Sequence, residues 1–163
     1  METLDLSRHS SDALIFSIDE QKYAPKKQIE DAKALVARLD LMEQNAKLIN
    51  YEGWKSDKVM AIESLYKEWL ILHKVYGPDL AMAPSKELDE YWHYHILDTK
   101  KYMEDCNMVF GYYLHHYPYF GLTEKETPAD LEQGFSLTQK LFKKHFGHAL
   151  TGVANPCAST SCR

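Results

Sequence analysis

Residues 87–102, ELDEYWHYHILDTKKY, combine two histidines and two aspartates in a run that favours helix. On a helical wheel at about 100° per residue, His95 falls on the arc that carries the apolar side chains. Asp89 and His93, four residues apart, share one rim of that arc, and Asp98 lies on the other rim. An imidazole on a buried arc with carboxylates beside it is a candidate for metal binding or for acid–base chemistry.

The two histidines of this run cannot bind one ion as an i, i+4 pair does, because residues two apart on a helix diverge by about 200°. The predicted pairings are therefore Asp89 with His93, and His95 with Asp98 or with a group from another helix. Asp105 falls on the opposite arc, which is predicted to face solvent. Other parts of the chain supply further imidazoles: His73, His115 and His116.

Three or four imidazoles, with or without a carboxylate, suit zinc or iron. The predicted metal ligands are His95, His115, His116, His93 and Asp89. Four further residues are predicted to support these ligands or to join them: Asp98, Tyr102, Cys106 and His73. The competing interpretation is structural, because a buried histidine that bonds to an aspartate or a tyrosine is common and buried polar groups need partners in any case.

Long stretches rich in Ala, Leu, Glu and Lys predict an all-α fold, a single-domain bundle of about five helices. The last helix should begin at Thr127 as N-cap, with Pro128 in its first position, and should end near Phe146. The segment 10–20 is either a short helix or a docked strand. Apolar residues at three- and four-residue spacing place the long helices at 26–50, 58–75, 86–109 and 128–146.

The helical domain is predicted to span residues 1–148, followed by a flexible tail over 149–163 that carries Cys157 and Cys162. The simplest interpretation of this tail is a segment with two exposed thiols. A redox-switchable disulfide, a metal-delivery arm and a site that another enzyme modifies are the alternatives. Cys106, on the buried arc, is either an inert small hydrophobe or a thiolate ligand beside His95.

Charge and composition argue against several classes of function. The chain has 163 residues and a formal net charge of −5, which disfavours electrostatic binding of the whole chain to nucleic acid or to an anionic membrane. No signal peptide, no run long enough to cross a bilayer and no disulfide framework are visible, so a cytoplasmic protein is expected. Gly111 and Gly121 are isolated, so no nucleotide cofactor is expected.

The run from YEGWKSDK through APSKELDEYWHYHILDTKKYMEDC to FGYYLHHYPYFG resembles the glycine-rich domain-containing protein-like family over about residues 45–122. That resemblance implies a helical domain without an assigned activity, and packing is enough to explain its tryptophan, Trp92. The chain lacks the glycine-rich segments of larger members. The positions that carry the resemblance are Pro84, Ser85, Leu88, Asp89, Trp92, His93, His95, Ile96, Leu97, Thr99, Tyr102, Cys106, Phe110, Gly111, Leu114, His115, His116 and Pro118.

Two hypotheses about function follow. In the first, the protein is a small metalloprotein of unassigned activity, a metal-dependent enzyme among the options, with its site between the 86–109 helix and His115–His116. In the second, it is a non-enzymatic interaction module whose histidines are structural. A small molecule or another protein is the expected partner. A Cys-His nucleophile built on Cys106 is a weaker third option.

Overall fold

The computed structural model describes residues 13–154, and 63% of the structure is helical. The described part forms one compact domain without strands, which confirms the predicted all-α single-domain fold. Two short 3-10 helices lie at Glu20–Lys22 and Gly77–Asp79. The six α-helices are α1 (Lys26–Val36), α2 (Met42–Asn50), α3 (Ser56–Tyr76), α4 (Lys86–Leu97), α5 (Thr99–Val109) and α6 (Pro128–Phe146).

The predicted helix over 26–50 is wrong as a single helix, because residues 37–41 separate α1 from α2. Leu39 and Leu41 are both buried, with 6% and 2% of their surface exposed. Residues two apart on one helix face nearly opposite sides, so both leucines reach the core only if the helix stops. The Asp40 carboxylate accepts a hydrogen bond from the Met42 N–H at 3.0 Å at the start of the new helix.

The predicted helix over 86–109 is also divided, at Asp98, whose φ of −80° and ψ of 71° are not helical. This bend matters for the chemistry of the chain. Residues ten apart on a straight helix lie about 15 Å apart along its axis. After the bend, the side chains of His95 and Asp105 meet at 2.8 Å, and those of Trp92 and Tyr102 meet at 3.0 Å.

The core is built around α3, which contacts α1, α2, α4 and α6. Its Tyr66, Trp69 and Leu72 expose no more than 1% of their surface, and Phe142 of α6 is equally buried. Trp69 lies edge-on to Trp92 of α4, with 5.8 Å between ring centroids. α4 is thus held against the centre of the domain, and the residues along it have fixed surroundings.

The last helix agrees with its prediction at both ends. The Thr127 hydroxyl accepts from the Asp130 N–H, and the Asp130 carboxylate accepts from the Thr127 N–H, which makes a capping box. Pro128 occupies the first turn, and Gly147 ends the helix with a left-handed φ of 78°.

Packed structure continues through residues 149–154, beyond the boundary predicted for the tail. Leu150 is 2% exposed, and its N–H and C=O each bond to the Gln139 side chain at 2.7 Å. The Lys86 N–H donates to the Val153 carbonyl at 2.9 Å, so this segment ends beside the start of α4. Cys157 and Cys162 lie outside the described residues.

Of the segment 10–20, the described residues up to Asp19 form no helix or strand but dock on the domain, and the 3-10 helix begins at Glu20. The Ile15 carbonyl accepts from the Ala81 N–H at 2.9 Å. The Phe16 ring stacks on that of Phe120, with 6.5 Å between centroids. Across residues 13–154, none of the helices combines the length and the apolar character that crossing a bilayer requires.

We expect Gly134→Ala to destabilise the protein, although alanine is favoured over glycine by about 1 kcal/mol inside a helix. A Cβ at this position would lie 2.6 Å from the Ala81 carbonyl oxygen and 2.9 Å from the Phe120 ring. Overpacking of this kind outweighs the propensity gain, and we expect a net loss of about 1–2 kcal/mol in urea unfolding. Ser136→Ala, at an exposed position of the same helix, is the control and should leave stability unchanged or slightly raised. A more stable Gly134→Ala protein would contradict the close approach of α6 to Ala81.

Candidate metal site

Three of the predicted ligands come together at the surface of α4. Asp89 and His93 lie one turn apart on this helix, and His116 reaches them from the loop after α5. One potential ligand atom from each residue lies within 4.8 Å of the other two. His116 Nε2 is 2.7 Å from Asp89 Oδ1, and His93 Nδ1 is 3.5 Å from Asp89 Oδ2. The predicted pairing of Asp89 with His93 is therefore present.

The loop that carries His116 is held in place by a buried hydrogen bond. α5 ends at Val109, and Gly111 adopts a left-handed φ of 76° as the chain turns. Leu114 is then buried, and its carbonyl accepts from the Tyr102 hydroxyl at 2.6 Å. The Leu114 carbonyl lies two residues before His116, so this hydrogen bond restricts the position of the His116 imidazole.

The site is largely buried, and its two imidazoles are partly exposed to solvent. The Asp89 side chain is 2% exposed, whereas those of His93 and His116 are 19% and 12% exposed. Asp89 is thus deeper than the rim position expected from the helical wheel, because the His116 loop covers it. Buried carboxylates need partners, and the two imidazoles supply them.

The tautomer of His93 follows from its hydrogen bond to the backbone. His93 Nδ1 lies 2.5 Å from the Asp89 carbonyl oxygen, which can only accept. Nδ1 therefore carries the hydrogen, and in the neutral ring the lone pair is on Nε2. A histidine ligand commonly donates its other N–H to a carbonyl in this way, since that bond orients the ring.

His95 points into the buried face, as predicted, but it lies outside this group of three residues. Its Nδ1 is 2.6 Å from the Tyr66 hydroxyl, and its Nε2 is 2.8 Å from Asp105 Oδ2. Because a carboxylate only accepts, Nε2 donates to Asp105, and Nδ1 accepts from Tyr66. Burial lowers the pKa of His95, although Asp105 opposes that shift. Burial thus favours the neutral ring, and both nitrogens have hydrogen-bond partners within the protein.

The other predicted residues are distributed around the site. His115 is exposed and is not among the three grouped residues, although it precedes His116. His73 packs its ring against that of Trp69, with 4.4 Å between centroids. Asp98 forms the junction of α4 and α5, and the carboxylate that bonds to His95 is that of Asp105 on α5 and not that of Asp98. Cys106 is 2% exposed and burial raises its thiol pKa, which favours the inert interpretation.

Two residues near the site were given other roles from the sequence. Trp92, interpreted as a packing residue, contacts the His116 ring in a tilted arrangement with 4.6 Å between centroids, and its indole N–H donates to the Tyr102 hydroxyl. Asp105 was expected to face solvent, but its side chain is only 14% exposed. The bend at Asp98 brings Tyr102 to Trp92 and Asp105 to His95. No periodic pattern in the sequence predicts this bend.

Comparison with known proteins gives one family match. A family model described as UCP032817-like matches residues 32–144, which is more than half of the chain and includes all three residues of the site. This match overturns the resemblance to the glycine-rich domain-containing protein-like family, and that family assignment is wrong. No curated protein and no solved structure matches the chain.

Proposed function

The chain belongs to the UCP032817-like family, and we propose that Asp89, His93 and His116 bind one divalent transition-metal ion. The observation that carries this proposal is the convergence of three potential ligand atoms within 4.8 Å of one another at a largely buried position. The convergence joins two elements that are distant in sequence. It also combines one carboxylate with two imidazoles, which is a set of ligands that metals use.

Zinc and iron are the ions that this set fits. Two histidines and one carboxylate hold catalytic zinc in hydrolases and hold iron in non-haem oxygenases. Ligand atoms around a tetrahedral ion at about 2.0–2.1 Å lie about 3.4 Å apart. An ion at this site would replace the His116–Asp89 hydrogen bond. It would be bound by His93 through Nε2, because Nδ1 donates to the Asp89 carbonyl.

Three protein ligands favour an open centre over a purely structural one. Structural zinc is almost always held by four protein ligands, whereas a catalytic ion keeps a position for water or substrate. No fourth His, Cys, Asp or Glu joins the three within the part of the chain that the structure describes. With zinc, a bound water would become an activated nucleophile suited to hydrolysis. Iron would suit oxidative chemistry, and the neighbouring loop is rich in tyrosine: Tyr112, Tyr113, Tyr117 and Tyr119.

A second candidate function is a non-enzymatic interaction module. The observation that favours it is that the Asp89–His116 and His93–backbone hydrogen bonds give these polar groups partners within the protein. A hydrogen-bonded network of this kind satisfies buried polar groups by itself. The cluster would then lock the loop onto α4, and another surface of the domain would dock a protein partner.

Elemental analysis and a metal titration separate the two functions. We expect protein purified without a His-tag to retain zinc or iron close to one ion per chain. Metal-stripped protein should bind zinc at one equivalent, with a rise in melting temperature, because a ligand that binds only the folded state stabilises it. Metal-free protein whose melting temperature does not change with zinc or with iron(II) would contradict the metal site and support the interaction module.

A further inference from the structure

We propose that Tyr102 is a positioning residue for the metal site and that its hydroxyl holds His116 ready to bind the ion. This inference rests on the proposed metal site and adds a residue that does not touch the ion. Tyr102 lies on α5 and is 1% exposed. Its hydroxyl is the point where three elements meet: α4, α5 and the loop that carries His116.

The contacts around this hydroxyl form a closed ring. The Trp92 indole N–H donates to the Tyr102 hydroxyl at 3.0 Å, and that hydroxyl donates to the Leu114 carbonyl at 2.6 Å. The chain then continues for two residues to His116, whose ring lies on Trp92 with 4.6 Å between centroids. His116 is therefore fixed from both sides, through its backbone by Leu114 and through its ring by Trp92.

The donors and acceptors in the ring can be arranged in only one order. An indole N–H can only donate and a carbonyl can only accept, so the hydroxyl must accept from Trp92 and donate to Leu114. All three residues are buried, with Leu114 the most exposed at 8%. Tyr102→Phe would remove the acceptor of the indole N–H and the donor to the carbonyl together. Because groups buried without partners are costly, the loop would shift to regain bonds elsewhere.

A shift of the loop would lower the affinity for the metal more than it would lower the stability of the fold. His93 and Asp89 are set by one turn of α4, whereas His116 depends on the loop for its position. Groups that orient a metal ligand without touching the ion typically change metal affinity by about 10–100-fold when they are removed. Tyr102 should behave as such a group.

The test compares Tyr102→Phe with Tyr91→Phe. The Tyr91 side chain is also buried, and its hydroxyl donates to Asn45 Oδ1 at 2.6 Å, on the side of α4 that faces α2. Both variants lose one hydroxyl and keep the ring. Each full-length protein is stripped of metal and titrated with cobalt(II) and then zinc, with the visible cobalt absorption bands recorded as a report of ligand geometry. Melting temperatures are measured on the same samples.

We expect Tyr102→Phe to bind cobalt about 10–100-fold more weakly than wild type and to show altered bands, whereas Tyr91→Phe binds as wild type does. Equal affinity and identical bands in both variants, with lower melting temperatures alone, would overturn the positioning role and leave the metal site standing. A wild-type protein that binds neither ion would contradict the proposed function itself. Should Tyr102→Phe fail to fold, Trp92→Phe removes the indole donor and keeps a ring on His116. Unchanged affinity in that variant would likewise overturn the proposal.

Discussion

His116→Ala is expected to remove the metal from the protein while leaving the fold intact. His116 supplies one of three ligands, and the remaining pair, Asp89 and His93, lies within one turn of one helix and offers no third donor among the grouped atoms. Loss of zinc affinity should exceed the roughly 10–100-fold effect of residues that only orient a ligand. The measurement is elemental analysis of purified protein together with a zinc titration of the metal-stripped variant.

The neighbouring His115 provides a matched control. His115→Ala removes an imidazole of the same kind from the adjacent position, but that side chain is exposed and outside the grouped residues. This variant should retain metal as wild type does. Equal loss in both variants would show that the loop, rather than one ligand, is required. Full retention in His116→Ala would place the ion elsewhere and contradict the site.

His95→Ala is expected to show the opposite pattern, with a large loss of stability and little change in metal affinity. The substitution leaves the Tyr66 hydroxyl and the Asp105 carboxylate without the imidazole that joins them, and it opens a cavity beside α3. We expect the free energy of unfolding to fall by about 3 kcal/mol, since a lost charge-assisted bond, an orphaned buried hydroxyl and a void act together. Urea unfolding of metal-stripped protein measures this loss of stability, and a zinc titration of the folded variant measures its affinity for zinc.

A double-mutant cycle with Tyr66→Phe shows whether the hydrogen bond is the cause. Tyr66→Phe alone removes a hydroxyl that is fully buried and 2.6 Å from His95 Nδ1. Combined with His95→Ala, it should cost about 1–2 kcal/mol less than the sum of the single changes, because both remove the same interaction. Strict additivity would mean that the two residues act independently. Loss of metal in His95→Ala at full stability would return His95 to the list of ligands.

The sequence alone was sufficient for the helical fold class and for a set of candidate ligands that includes the three residues grouped in the structure. Apolar spacing and capping residues located most of the helical segments and both ends of α6, because those signals act within a few residues of each other. The one-turn spacing of Asp89 and His93 predicted their pairing for the same reason. The wheel also placed His95 in the core, since burial on a helix follows from its period.

Only the tertiary structure decided which histidine joins Asp89 and His93 and which does not. The bend at Asp98 turns α5 so that Asp105 and Tyr102 meet side chains ten residues earlier in the chain, and a straight helix would have kept them apart. The loop beyond α5 then places His116 on Asp89 and leaves His115 in solvent. Local periodicity describes which face of one helix a residue occupies. It contains no information about the angle between two helices or the path of a loop, because those depend on contacts between residues that are distant in sequence.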